Sequence, residues 1–304
     1  MSFFVQFLGT GSALPTNKQN PTSQYLFCEN RHFLIDCGEG TQIQLRKRGI
    51  KIQKIDAIFI SHLHGDHYFG LVGLLSSMHL LGRKKKIVIY SHAELKEIVH
   101  SQLFIGGAKL TFEIEFKTIE ANYEGEIYSD KIISIKTFKL KHKITTHGFC
   151  FEEKPKPRHL LGDKFKESGL SIAHIPKLKA GKDVKDENGK IISYLDYTNE
   201  PEKSCSYAFC SDTAYSENIL QHIQNVDVLY HEATFIQKEE ERAHKTKHST
   251  AKEAATIAFK ANVGKLYMGH MSARYNNSKQ HLKEANAIFE NSFMANEGEV
   301  VKFN

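Results

Sequence analysis

The run Phe59-Ile-Ser-His62-Leu-His64-Gly-Asp66-His67 brings three imidazoles and a carboxylate into six residues at the end of an apolar stretch. Neutral imidazole and carboxylate are donors that suit zinc, and an acidic ligand lowers the charge of the site. On a loop passing from a strand into a helix, alternate side chains converge on one side while the last pair turns toward another point. A zinc ion takes three or four protein ligands, and four residues of so short a loop cannot all face one ion. Further ligands must come from elsewhere, and three candidates stand just past predicted strands, where loops gather at a common edge. His142 follows a strand predicted over 132–140, Asp212 follows one over 207–211, and His270 follows one over 265–268.

The elements that must position these groups alternate between short β-branched or aromatic runs and longer amphipathic ones, which predicts a layered α/β fold. Other strands are expected over 3–8, 24–28, 32–36, 57–61, 87–90 and 228–230, and helical spacing of apolar residues occupies 41–48, 66–81, 93–104, 251–262 and 279–291. The fourth helix has the clearest start, because Thr250 and Glu253 make a T-x-x-E capping box. Gly9-Thr-Gly-Ser12 lacks the Lys-Ser/Thr of a phosphate loop and reads as a tight turn.

Composition bounds the rest. A chain of 304 residues with 40% hydrophobic residues has an ample core, which excludes disordered and fibrous classes. No stretch approaches the roughly 20 apolar residues of a membrane span. The opening MSFFVQFLGTGS lacks the charged region and cleavage site of a signal peptide, so a cytoplasmic protein with no membrane partner is expected. Five cysteines without a C-x-x-C pair read as buried thiols rather than a disulfide scaffold.

One segment breaks the alternation. Residues 154–182 hold eight Lys/Arg against two Asp/Glu, a surplus of six that equals the net charge of the whole chain. Lys164, Lys166, Lys177, Lys179 and Lys182 make it a candidate arm for a phosphate backbone, since clustered lysines release counterions on binding. Asn188-Gly189 then reads as a hairpin turn. A single domain over 1–304 is expected, with residues 152–200 as an inserted flexible arm.

The HLHGDH run with later His, Asp and His positions resembles the metallo-β-lactamase superfamily. Further runs are similar to one branch of it, ribonuclease Z (tRNase Z): Phe7-Leu-Gly-Thr-Gly-Ser-Ala-Leu-Pro15 with Asn20-Pro-Thr-Ser23, Leu34-Ile-Asp36-Cys-Gly-Glu-Gly-Thr-Gln42 and Ser211-Asp-Thr213. His231-Glu-Ala-Thr234, His248-Ser-Thr-Ala251 and His270-Met-Ser-Ala-Arg-Tyr275 complete the set in the expected order. The resemblance implies a four-layer αβ/βα sandwich with a protruding basic arm and two Zn2+ per subunit. His62, His64 and His142 would hold one ion and Asp66, His67 and His270 the other, with Asp212 bridging and Asp36 orienting a ligand imidazole.

The implied activity is zinc-dependent endonucleolytic cleavage of precursor tRNA on the 3′ side of the discriminator nucleotide, leaving a 3′-OH on the tRNA and a 5′-phosphate on the trailer. His248, held by Glu232, would protonate the leaving oxygen, Asp66 is a candidate general base toward the attacking water, and Ser272 and Arg274 would bind a phosphate oxygen. The resemblance also implies a homodimer. Two departures stand out: the arm lacks a family Gly-Pro element, and Gln19 occupies a position where the family often has Arg in a loop linked to 3′-CCA discrimination. The alternatives are a small-molecule phosphodiesterase or other hydrolase of the superfamily, and a non-catalytic RNA-binding module.

Overall fold

A computed structural model describes residues 3–105 and 109–303. In chain order the first strands are β1 (Phe3–Gly9), β2 (Ser23–Cys28), β3 (Arg31–Ile35), β4 (Ala57–Phe59), β5 (Ile87–Ser91), β6 (Ile114–Thr118), β7 (Gly125–Ser129), β8 (Ile133–Lys139) and β9 (His147–Glu153). An insertion carries β10 (His159–Leu160), β11 (Val184–Lys185), β12 (Ile191–Ile192) and β13 (Thr198–Asn199). The chain continues through β14 (Ser206–Cys210), β15 (Val228–Glu232), β16 (Lys265–Gly269), β17 (Ser292–Met294) and β18 (Val300–Lys302).

These strands build two seven-stranded sheets, ordered β18-β1-β2-β3-β4-β5-β6 and β17-β16-β15-β14-β9-β8-β7. Each sheet is antiparallel on one side and parallel on the other: β3 to β6 run parallel in the first and β14 to β17 in the second. Between the sheets lies an aromatic core in which Phe33, Phe59, Phe149, Phe151, Phe209 and Tyr230 are buried. Such rings remove large apolar areas from water.

Helices cover both outer faces. On the first sheet lie α1 (Thr41–Lys47), α3 (Leu71–Leu80) and α4 (Glu94–Phe104), with the single turn α2 (Gly65–Tyr68) preceding α3; Leu45, Leu74, Leu75 and Val99 seal this layer. After the insertion helices α5 (Gly162–Glu167) and α6 (Ile175–Lys179) come α7 (Leu220–Ile223), α8 (Glu240–Thr246), α9 (Ala251–Lys260) and α10 (Lys279–Asn286). Ile223, Ile257 and Ala285 of α7, α9 and α10 pack on the second sheet. The result is the expected αβ/βα layering. The capping box at α9 is formed, with Glu253 N–H donating to the Thr250 hydroxyl and Thr250 N–H to the Glu253 carboxylate.

The structure departs from the sequence-based expectation in several helices and strands. The helix expected over 66–81 is broken at Gly70, whose N–H donates to the Cys37 carbonyl and where a Cβ would stand 2.1 Å from the Gly38 oxygen. Strands β6, β7, β9, β10, β13, β17 and β18 were not anticipated. The short helices α5, α6 and α7 and helix α8, too polar to show a clear apolar stripe, were not anticipated either. All five cysteines are free and buried. Among the described residues no helix is long and apolar enough to cross a membrane.

The insertion between β9 and β14 has a small core of its own, with Phe165, Leu178 and Val184 buried and Tyr194 and Tyr197 packed against them. The β11–β12 pair forms a hairpin around Asn188-Gly189, with Gly189 at φ +80° as a turn glycine requires. Residues 183–204 hold three Lys against six Asp/Glu, and some of these acids face the basic half. Arg158 pairs with Glu200 at 2.7 Å and lies over the Tyr194 ring, while Lys156 reaches Glu153 and Glu202. Lys164, Lys166, Lys177 and Lys182 remain exposed and Lys179 is half-buried.

Candidate metal centre and active site

Six strands end at one edge, and the groups singled out in the sequence follow them directly. Asp36 follows β3, the HLHGDH run follows β4, His142 follows β8, Asp212 follows β14, Glu232 ends β15 and His270 follows β16. Asp36, Asp212 and His270 all have a left-handed backbone, with φ of 55°, 58° and 56°. This conformation turns the chain sharply at the strand end, a local strain typical of functional sites.

Two groups of donor atoms result. In the first, His62, His64, His142 and Asp212 converge; in the second, Asp66, His67 and His270 do. Asp212 reaches both. Its Oδ2 lies 3.6 Å from His62 Nε2 and from His142 Nε2, and its Oδ1 lies 3.2 Å from His67 Nε2 and 3.1 Å from His270 Nε2.

Hydrogen bonds fix which imidazole nitrogen carries a lone pair. His67 Nδ1 donates to Asp36 Oδ2 at 2.7 Å, and His142 Nδ1 donates to the Lys247 carbonyl at 2.8 Å. Each leaves a bare Nε2 facing the centre. Asp36 is itself held by the Ser61 N–H and hydroxyl. The buried His67 Nε2 has no hydrogen-bond partner, although carboxylate oxygens of Asp66 and Asp212 stand 3.5 and 3.2 Å away. Lone pairs from nitrogen and oxygen facing one another without a proton between them fit a cation, and the nitrogen-rich sets fit a divalent metal of the zinc type.

Beside the second group lies a carboxylate–imidazole pair. Glu232 is fully buried and accepts from Thr213 N–H, Ser249 N–H and the Thr234 hydroxyl, while His248 Nδ1 donates to its Oε1 at 2.8 Å. Burial alone would raise the Glu232 pKa, but the imidazole of His248, with a smaller effect of His270, holds it low. Burial would likewise depress His248, yet the Glu232 carboxylate overrides it and pushes the His248 pKa up to about 9. The turn that delivers His248 ends α8: Lys247 is left-handed at φ 62°, so its carbonyl meets His142 and the next side chain meets Glu232.

A cavity of about 580 Å³ opens over these groups, reached by His64, Asp66, Asp212, His248 and His270. Ser272 and Arg274 line it too, with Arg274 Nε donating to the Ser272 hydroxyl and the guanidinium lying over the Phe235 ring. None of the arm lysines lines this cavity. Sequence reasoning missed Arg242 and Thr246 of α8 and the apolar residues Leu14 and Phe69, which belong to no motif of metal ligands or acid–base pairs. Asp66 Oδ2 accepts the Ala13 N–H at 2.8 Å, and although burial raises its pKa, the neighbouring His67 and His270 keep the carboxyl below its usual range.

Residues 3–156 match a family model described as Anti-Pycsar protein Apyc1. That match ends before Asp212, Glu232, His248 and His270. Whole-chain relatives cover all of them: a ribonuclease Z of Phocaeicola vulgatus is 42% identical over 97% of this chain and 96% of its own length. The chain belongs to the ribonuclease Z family. A ribonuclease Z of Cytophaga hutchinsonii is 43% identical over 98% of this chain and 95% of its own. Among solved structures, human tRNase Z, short form, superimposes with a TM-score of 0.71 at 25% identity, over 99% of both chains. This chain is thus a hydrolase of the metallo-β-lactamase fold and a ribonuclease by family.

Proposed function

We propose that this member of the ribonuclease Z family is the endoribonuclease that removes the 3′ trailer from precursor tRNA, cutting on the 3′ side of the discriminator nucleotide. The observation that carries the reading is the carboxylate of Asp212 shared between two donor groups, with the Glu232–His248 pair opening into the same cavity. His62, His64 and His142 would hold one zinc ion and Asp66, His67 and His270 a second, with Asp212 touching both. Bound there, two ions would supply Lewis acidity toward the phosphate and lower the pKa of the attacking water.

The chain's own residues supply the rest. His248 delivers the proton that the departing 3′ oxygen needs, from the Nε2 opposite the nitrogen anchored on Glu232. Arg274 and Ser272 bind a non-bridging phosphate oxygen, with Arg242 available on the facing helix. Asp66 is best suited to ligation, because so acidic a carboxyl is a weak base. Lys164, Lys166, Lys177, Lys179 and Lys182, on an insertion apart from the cavity, are assigned to the distant body of the tRNA. A cytoplasmic homodimer completes the reading. Support for the dimer comes from the exposed apolar side chains Ile43, Leu80 and Leu81 on α1 and the end of α3.

The deciding experiment incubates a 3′-extended tRNA with the zinc-loaded protein and maps the cut and its end groups. A 3′-OH on the tRNA and a 5′-phosphate on the trailer are expected. Efficient turnover of bis-p-nitrophenyl phosphate without any cut in precursor tRNA would favour a small-molecule phosphodiesterase instead.

A further inference from the structure

The wall of the cavity formed by Leu14, Pro15, Pro21 and Phe69 has no part in ligation or proton transfer. Leu14 is 65% exposed and Phe69 64%, so both present most of their apolar surface to solvent beside strongly polar groups. Both are firmly placed. Phe69 N–H donates to the Gly65 carbonyl at 2.9 Å, and its ring lies so close over Gly65 that a Cβ there would stand 2.2 Å from ring carbon Cε2. Tyr68 meets the same ring edge-on at 5.0 Å. The loop carrying Leu14 is tied to α2 through the Ala13 N–H on Asp66. An exposed aromatic ring held in one orientation by the helix that also bears Asp66 and His67 is a platform for something flat and apolar attached to a phosphate.

We infer that Phe69, flanked by Leu14, is the stacking platform for the base of the first trailer nucleotide. The assignment rests on the nuclease reading above. His248 takes the leaving 3′ oxygen, and with it the discriminator nucleotide, to the side of α8 and α9. The nucleotide joined through the 5′ oxygen stays with the phosphate, and the apolar wall borne by α2 and the loop after β1 is left to receive it. The four side chains of this wall carry no hydrogen-bonding group and hold a base by its face, while Ser12 and Glu39 line the same cavity with polar groups of their own. Cleavage therefore requires a base at the first trailer position.

The test uses the zinc-loaded enzyme and 3′-extended tRNAs whose first trailer nucleotide is either normal or abasic, with Phe69→Ala and Phe69→Tyr as variants. For the unaltered enzyme the abasic substrate should lose about tenfold in kcat/KM, as loss of one stacked base does. Phe69→Ala should lose a similar factor on the normal substrate and nothing further on the abasic one, and Phe69→Tyr should recover most of the loss. Equal losses by Phe69→Ala on both substrates, with zinc content unchanged, would mean that the ring only supports the Gly65 turn, and the inference fails. A second readout does not depend on turnover: 2-aminopurine at the first trailer position should be quenched on binding, and Phe69→Ala should abolish the quench. Quenching without any cleavage would count against the nuclease reading alone, whereas absence of quenching overturns the platform.

Discussion

Glu232 concentrates more of the site's logic than any metal-ligating residue. Its two oxygens bind the loops after β14 and β15 and the turn before α9, and the same carboxylate anchors His248. His248→Ala should reduce cleavage by on the order of 10²- to 10⁴-fold while bound zinc, measured by atomic absorption, stays full. Glu232→Gln keeps the shape but removes the charge that lifts the imidazole from its ordinary 6.5 to about 9. The acid must be protonated to act, so the alkaline limb of the pH–rate profile should move to lower pH in this variant. Stability follows the same sign: the protonated imidazole contributes fully below pH 6.5, and that contribution is lost as pH rises through about 9. Asp36→Asn should weaken zinc binding by about 10- to 100-fold in chelator competition, because the Asp36 carboxylate fixes the His67 tautomer. Much of this was legible in the sequence, since His, Asp and Glu at strand ends carry their chemistry in their residue type. The backbone groups that orient them were not, because the carbonyl of Lys247 and the N–H of Ala13 leave no trace in residue identity.

At the scale of elements, periodicity located most of the strands that lead into the site and failed mainly at the margins, although β9, central and buried along almost its whole length, shows no alternation and escaped too. β6 and β7 lie half-exposed at sheet edges, with mixed burial along IEFKT and GEIYS, so no clean alternation marks them. The break between α2 and α3 was hidden for a different reason: the apolar spacing runs straight through Gly70, and only the close approach of the Cys37–Gly38 backbone interrupts the helix. Gly70→Ala would push a methyl into the Gly38 carbonyl. A loss of roughly 1–3 kcal/mol in urea unfolding is expected, together with reduced zinc content because α2 carries Asp66 and His67. Unchanged stability would show that the contact relaxes freely.

Over the whole molecule, the two sheets supply separate halves of one site. The layered class was readable from the alternation of strand and helix, but the pairing of β18 with β1 and the meeting of the two sheets' edges depend on contacts that no local window contains. The insertion is less uniformly charged than its first half implies, since its second half is acidic and Glu200 and Glu202 neutralise part of the basic stretch. Deleting residues 160–194 should therefore test the exposed lysines more than the net charge. Binding of precursor tRNA, followed by filter retention, should weaken, while hydrolysis of bis-p-nitrophenyl phosphate is retained; equal loss of both would remove the insertion from substrate recognition.

The distribution of ligands along the chain, from His62 to His270, also bears on when the molecule becomes active. A chain emerging from the ribosome presents the HLHGDH loop well before His248 and His270, which follow about 180 and 200 residues later. Translation products that stop short of these residues would be inert toward RNA, and the onset of nuclease activity awaits synthesis through His270.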